Sequence, residues 1–242
     1  MFSNWFVKAK ELNVPFTTDI HSHLLPGIDD GVKTIDESLE VINTLYNLGY
    51  RKLITTPHIM SDYYKNTPEI IRLKLNEVKR AVDESGPEVQ IEAAAEYYLD
   101  EHFYEMILND KELLTFGDNY ILFETSFTVE PLLLKEVIFK LTSAGYKPVF
   151  AHPERYLYLH ENTQLLQELI DQQLLFQLNI LSLSGYYSKP VQKMAFKLFK
   201  QNAISFIGTD CHNMYQANEI KHVLNTKTMQ KIKEQKLLNH LL

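Results

Sequence analysis

The chain has 242 residues, 45% of them hydrophobic, and a formal net charge of −7. That is enough apolar material for one sizeable core, and the single cysteine, Cys211, excludes a disulfide framework and favours a cytoplasmic setting. An acidic balance with only four arginines, Arg51, Arg72, Arg80 and Arg155, argues against a nucleic-acid phosphate footprint.

The opening segment, MFSNWFVKAKELNVPF, lacks the apolar core of a signal peptide. No later run approaches the roughly 20 apolar residues of a membrane span, so no membrane insertion is expected. No linker, low-complexity tract or shift in composition marks a boundary, and one domain over 1–242 is expected. Residues 1–15 read as an N-terminal extension whose Phe2, Trp5 and Phe6 are best explained by packing; the oligomeric state is left open.

The first predicted element is the strand FTTDI at 16–20. Thr34-Ile-Asp-Glu37 then reads as a capping box opening a helix that runs to Gly49. KLITT (52–56) is the second strand, and Pro68 starts a helix over 68–84. Strands follow at VQIEAAAE (89–96), YILFE (120–124), KPVFA (147–151), LLFQLNI (174–180) and ISFIG (204–208). Helices are predicted near 101–109, 131–144, 162–172, 189–201 and 226–239. Seven strand–helix units in this length approach the ~250 residues of an eight-stranded barrel, so the expected fold is an α/β, (β/α)7 barrel. An open doubly wound sheet is the alternative, without the glycine-rich phosphate loops it would normally carry.

In parallel α/β folds the chemistry gathers where the strands end, because the loops there share one rim. His21, His23, Asp29 and Asp30 follow the first strand, His58 the second, and His152 the fifth. Glu96 and Glu124 close the third and fourth strands; Asp210 and His212 follow the seventh. Choosing Asp30 over Asp29 leaves nine nitrogen or oxygen donors, supplied by six of the seven ends. His102, His160, His222 and His240 lack such company. His21 and His23 lie two apart on an extended segment and face one way, as do Asp210 and His212. Imidazoles and carboxylates without thiolates suit Zn, Mn or Fe, and nine donors exceed one ion's needs. Cys211, between Asp210 and His212, faces away and reads as a small buried residue; Cys-x5-Arg is absent, since Ala217 stands where the arginine would be.

In this order, DIHSHLLPGIDDG, TPH, AAAEYY, LFET, AHPERY and GTDCHN resemble the PHP (polymerase and histidinol phosphatase) superfamily over residues 17 to 215. The nearest branch is similar to the bacterial manganese-dependent protein-tyrosine phosphatases of capsular and exopolysaccharide operons. The resemblance implies a distorted TIM-like barrel of the PHP type and two or three divalent ions, manganese first, iron or zinc as alternatives. It implies His21, His23, Glu96 and Asp210 around one ion, and Glu96 bridging to a second with Glu124 and His152. Asp30, His58 and His212 would surround a third. Arg155 would hold substrate phosphate.

Clustered divalent ions lower the pKa of bound water toward ~7, which implies attack by a metal-bound hydroxide, and the resemblance implies phosphotyrosine as its target. The protein partner implied is a bacterial tyrosine kinase of polysaccharide synthesis. Arg155, the only arginine near a strand end, offers a planar fork for two phosphate oxygens; a surface ion pair with Glu154 is its plainer explanation. The proton for the leaving group is left open between Asp210 and a rim histidine. Tyr63-Tyr64, Tyr97-Tyr98, Tyr186-Tyr187 and Tyr156 are candidates to flank an aromatic ester, with packing the default for each. A small-molecule phosphatase such as one for histidinol phosphate, a phosphodiesterase, and a non-catalytic metal-binding regulator of polysaccharide export are the competing readings.

Overall fold

The computed structural model describes residues 16–224, 226, 232 and 235–242. The expectation for residues 1–15 lies outside the described residues, and that for a helix over 226–239 lies largely outside them. The strands are β1 (Thr18–Asp19), β2 (Lys52–Thr55), β3 (His58–Ile59), β4 (Gln90–Ala93), β5 (Glu96–Tyr98), β6 (Tyr120–Glu124), β7 (Lys147–Ala151), β8 (Leu175–Asn179) and β9 (Ile204–Gly208). Every ladder between them is parallel.

β2 and β3 are one strand interrupted at Thr56-Pro57, where proline has no N–H to donate, and β4 and β5 part at Ala94-Ala95. Backbone bonds carry on across these breaks: Thr56 N–H donates to the Ser22 carbonyl (2.7 Å), Ala94 N–H to Thr55 (2.9 Å) and Glu96 N–H to Pro57 (3.1 Å). The pieces therefore form seven strands in sequence order. The ring closes at the top, where Asp210 N–H donates to the His21 carbonyl (2.7 Å) and His23 N–H to Cys211 (2.9 Å). This is the expected (β/α)7 barrel, distorted at the two breaks.

Lower down, side chains take over the seam between β1 and β9. Asn239 accepts from Ile207 N–H (2.9 Å) and donates to the carbonyls of Thr18 (3.0 Å) and Ile207 (2.8 Å). Above it, the Asp19 carboxylate accepts from the N–H and hydroxyl of Thr209 (2.8 and 2.7 Å). Removing the Asn239 amide would leave buried backbone groups unpaired, at about 1–3 kcal/mol for each one stranded. Asn239→Ala should therefore lower unfolding stability by about 2–4 kcal/mol, read as a shift of the urea midpoint at unchanged slope.

The apolar side chains divide as a barrel requires. Ile20, Ile54, Ala94, Leu122, Val149, Ala151 and Phe206 fill the interior, over a floor of Phe116, Tyr120 and Leu242. The opposite strand faces pack under the helices, which form the larger cluster. These are α1 (Ile35–Leu48), α2 (Pro68–Ser85), α3 (Glu101–Leu108), α4 (Leu134–Ser143), α5 (Leu157–Glu161), α6 (Thr163–Asp171), α7 (Lys189–Lys200) and α8 (Met214–Leu224). Thr34 caps α1 by accepting from Glu37 N–H, and Gly49 ends it at φ 114°, a left-handed turn. Glu37 reaches back one residue further than a capping box predicts, to Lys33 N–H (2.7 Å).

Two differences from the predicted elements have local causes. The region 162–172 is preceded by a separate short helix, α5, with Asn162 capping α6. α8 was not predicted, because its buried side is only Ala217, Ile220 and Val223. Its start signal is Asn213, whose side chain accepts from Gln216 N–H (3.1 Å), and this residue sits inside the GTDCHN motif.

Candidate metal centre

Strand periodicity delivers the rim. Inward positions run Tyr120, Leu122, Glu124 on β6 and Ala94, Glu96 into β5, so on these two strands a carboxylate stands above the interior apolar side chains. Two donors need a turned backbone instead: His152 (φ 33°) and Asp210 (φ 51°) occupy the left-handed region, which costs a non-glycine residue on the order of 1 kcal/mol or more. β9 can approach because residue 208 is glycine; a Cβ there would fall 2.6 Å from the His21 Cβ and 2.8 Å from Gln177 Nε2.

All nine sequence-derived candidates meet on this rim. They form four overlapping groups whose ligand-type atoms lie within 4.8 Å: His23, Asp30, His58 and His212; His21, His23 and Glu96; His21, His152 and Asp210; His58, Glu96 and Glu124. Glu96 is the hub, its carboxylate 3.2 Å from His21 Nε2, 3.5 Å from His23 Nε2, 3.2 Å from His58 Nδ1 and 3.0 Å from His152 Nε2. The grouping implied by the resemblance kept His23 and His58 apart; here both face Asp30 and His212 as well.

The outer contacts orient these donors. Asp210 accepts from Asn179 Nδ2 (2.6 Å), so Asn179 Oδ1 accepts from Gln177 Nε2 (2.9 Å) and Gln177 Oε1 accepts from His21 Nδ1–H (2.9 Å). Asp29 accepts from His23 Nδ1–H (2.8 Å), and the Asp210 carbonyl from His212 Nδ1–H (2.8 Å). Each ring is thereby fixed with its Nε2 turned inward, the arrangement that prepares imidazole for a metal once Nε2 is deprotonated. His58 Nδ1, though 3.1 Å from Glu124, has no hydrogen-bond geometry to any partner. A mostly buried set of nitrogen and oxygen donors converging on shared points fits divalent cations.

Gln177 and Asn179 were missed from sequence. Strand six was the one end without a ligand type, yet its inward positions hold these two amides. The signal was present as polar residues at period two in LLFQLNI. Asp29, set aside in favour of Asp30, is the buried carboxylate holding His23, while the Asp30 side chain is 52% exposed.

Burial would depress the histidines, but carboxylates prevail. Glu96 and Asp210 raise His21, Asp29 and Asp210 raise His23 well above its ordinary value, and Glu96 helps lift His58 to about 10. Burial likewise pushes Glu96 and Asp210 up, yet neighbouring histidines hold both well below the usual carboxylate range. In the metal-free protein His58 thus carries a proton at neutral pH that a metal must displace, and rising pH weakens that competition. Mn²⁺ affinity should increase between pH 6 and 8, with at least one proton released per chain. Titration calorimetry in buffers of different ionisation enthalpy checks both.

Arg155 stands in the short turn Pro153–Arg155, after β7. Its Nη1 donates to Asp210 Oδ2 (2.9 Å), and its guanidinium lies between the rings of Phe127 (4.5 Å) and Tyr187 (4.4 Å). The plainer pairing with Glu154 does not occur: Glu154 is buried and accepts from Asn179 N–H and the Ser182 hydroxyl. With Arg155 and histidines around it, Asp210 is ionised and has no proton to give, so it is set aside as the leaving group's acid. Cys211 is fully buried in the outer core, as expected. Of the tyrosines, Tyr98 and Tyr187 line the rim cavity of about 660 Å³, Tyr64 stacks on His58, and Tyr97 and Tyr156 belong to the core.

Fold and site define a class: parallel seven-stranded barrels with a candidate polynuclear metal centre at the strand ends. Within it, the chain belongs to the CpsB/CapC family of capsular polysaccharide synthesis, whose model it matches over residues 17–241. It is 32% identical to the tyrosine-protein phosphatase YwqE of Bacillus subtilis, over 83% of this chain and 79% of that one. A solved chain from work on B. subtilis YwqE and Streptococcus pneumoniae CpsB, metal-dependent tyrosine phosphatases, superposes with a TM-score of 0.78. The two are 27% identical, over 91% of this chain and 96% of the other. A histidinol phosphate phosphatase from Lactococcus lactis shares the fold at TM-score 0.51 and 12% identity, over 91% and 94%.

Proposed function

We propose that the protein is a metal-dependent protein-tyrosine phosphatase. Its substrate in this reading is phosphotyrosine on a protein partner, a bacterial tyrosine kinase of polysaccharide synthesis. The catalytic domain spans the described barrel, and two or three ions, manganese first, are held by His21, His23, Asp30, His58, Glu96, Glu124, His152, Asp210 and His212. The observation that carries the reading is the pairing of this donor cluster with Arg155, anchored by Asp210 on the wall of the same cavity.

Bound divalent ions would supply acidified water and neutralise phosphoryl oxygens. The chain's own residues do the rest. Arg155, fixed in plane by two aromatic rings and one carboxylate, presents its remaining N–H groups to phosphate. Asn179 and Gln177 hold Asp210 and His21 in place. A cytoplasmic setting belongs to the same reading and is supported by the lone buried thiol; among the described residues no helix is long and apolar enough to cross a membrane.

The test is turnover of a phosphotyrosine peptide and of histidinol phosphate by protein stripped with EDTA and then reloaded with Mn²⁺, Fe²⁺ or Zn²⁺, with metal content measured. Two or three ions per chain and metal-restored peptide turnover are expected. Preference for histidinol phosphate would support the small-molecule reading, and metal uptake without turnover of either the non-catalytic one.

A further inference from the structure

Phe127 is the aromatic residue of the rim that neither strand ends nor tyrosine doublets brought forward. It lies three residues beyond Glu124, on the loop after β6. The loop is pinned on both sides of it: Leu157 N–H donates to the Phe127 carbonyl (2.7 Å), and the Ser126 hydroxyl accepts from the N–H groups of Thr128 (3.3 Å) and Val129 (3.4 Å). The Arg155 guanidinium lies over the ring, 4.5 Å from its centroid, and that centroid is 5.8 Å from that of His152. Yet Phe127 remains 40% exposed, on the wall of a cavity that also includes Met60 and Tyr98. Tyr187, on the other side of Arg155, is committed elsewhere, its hydroxyl 3.2 Å from Asn179 Nδ2 and 3.5 Å from Asp210.

We infer that Phe127 is the wall against which the aryl ring of the substrate lies, and so the residue that makes this site favour aryl over alkyl phosphates. The inference rests on the phosphatase reading and adds the group that selects the ester. Glu96, His21, His23 and His152 are buried behind the mouth, so a phosphate that reaches them and Arg155 leaves the next atoms of its ester beside Phe127. Phosphotyrosine places a whole ring there; phosphoserine places one methylene. A fixed, partly exposed ring meets an aryl group by stacking or edge contact, and the apolar surface left in water by the free protein is covered.

Phenylphosphonate and methylphosphonate separate the ring from the anion, because neither is hydrolysed and they differ in that group alone. Their affinities for the Mn²⁺-loaded protein, measured by calorimetry, should differ in favour of the phenyl compound. In Phe127→Ala that ratio should fall about tenfold, and in Phe127→Leu by less, since leucine keeps apolar cover without a ring. Any loosening of Arg155 weakens both ligands equally and leaves the ratio alone. An unchanged ratio in Phe127→Ala, with both affinities lower or with neither altered, would overturn the inference and leave Phe127 as a support for Arg155. Hydrolysis of phenyl phosphate by the same samples tests the phosphatase reading separately. A wild-type protein that shows the ring-dependent difference but hydrolyses nothing keeps the aryl wall and loses the enzyme.

Discussion

Glu96→Gln should abolish phosphotyrosine hydrolysis and sharply reduce the metal content while leaving the barrel folded. Glutamine has the same shape, and the fold around position 96 depends on backbone pairing, with Glu96 N–H bonded to the Pro57 carbonyl. What changes is the charge at the hub. The carboxylate touches His21, His23, His58 and His152, and a neutral amide would offer a bound cation one weaker oxygen donor where the carboxylate would offer two charged ones. Loss of a partner that only orients a metal ligand costs about 10- to 100-fold, so removal of the shared donor should exceed a hundredfold in kcat/KM. Circular dichroism and elemental analysis accompany the kinetics. Retained metal with activity within tenfold of wild type would remove Glu96 from the centre.

Arg155→Ala should cut kcat/KM by roughly ten- to a hundredfold with the metal content unchanged, because charge-assisted hydrogen bonds to phosphate are worth about 1.5–3 kcal/mol. A contact equal in ground and transition states would appear in KM; one that tightens as charge moves would lower kcat too. Arg155→Lys should recover only part of the loss. An ammonium keeps the charge but cannot lie flat between Phe127 and Tyr187 while reaching both Asp210 and the phosphate. The substitution also takes a cation away from Asp210, so metal content must be read on the same samples. Equal kcat/KM for wild type and Arg155→Ala would put the arginine outside the reaction.

Most of the barrel was legible because each strand is a short β-branched or aromatic run set between longer helical patterns, as parallel strands covered on both faces require; YILFE, KPVFA and ISFIG match their strands residue for residue. The donors were legible for a related reason. Parallel strands end on one rim whatever their exact register, so ligand types clustered at strand ends could be assigned to one place. α8 was not legible, since a helix buried through one alanine and two β-branched residues leaves a faint pattern.

By itself the sequence determined the seven strands, the polar rim above an apolar interior and the nine candidate donors, all properties of local period and order. Only the tertiary structure decided which groups serve each donor. Gln177 lies 156 positions from the His21 it orients, and Asn239 stands 221 positions from the Thr18 carbonyl it satisfies. Whether Asp29 or Asp30 turns inward depends on where a loop carries them past His23 and His58, and the partner of Arg155 depends on how the turn after β7 packs against the end of β9. Such pairings follow from closing a ring of strands, a constraint on the whole chain that no local stretch carries.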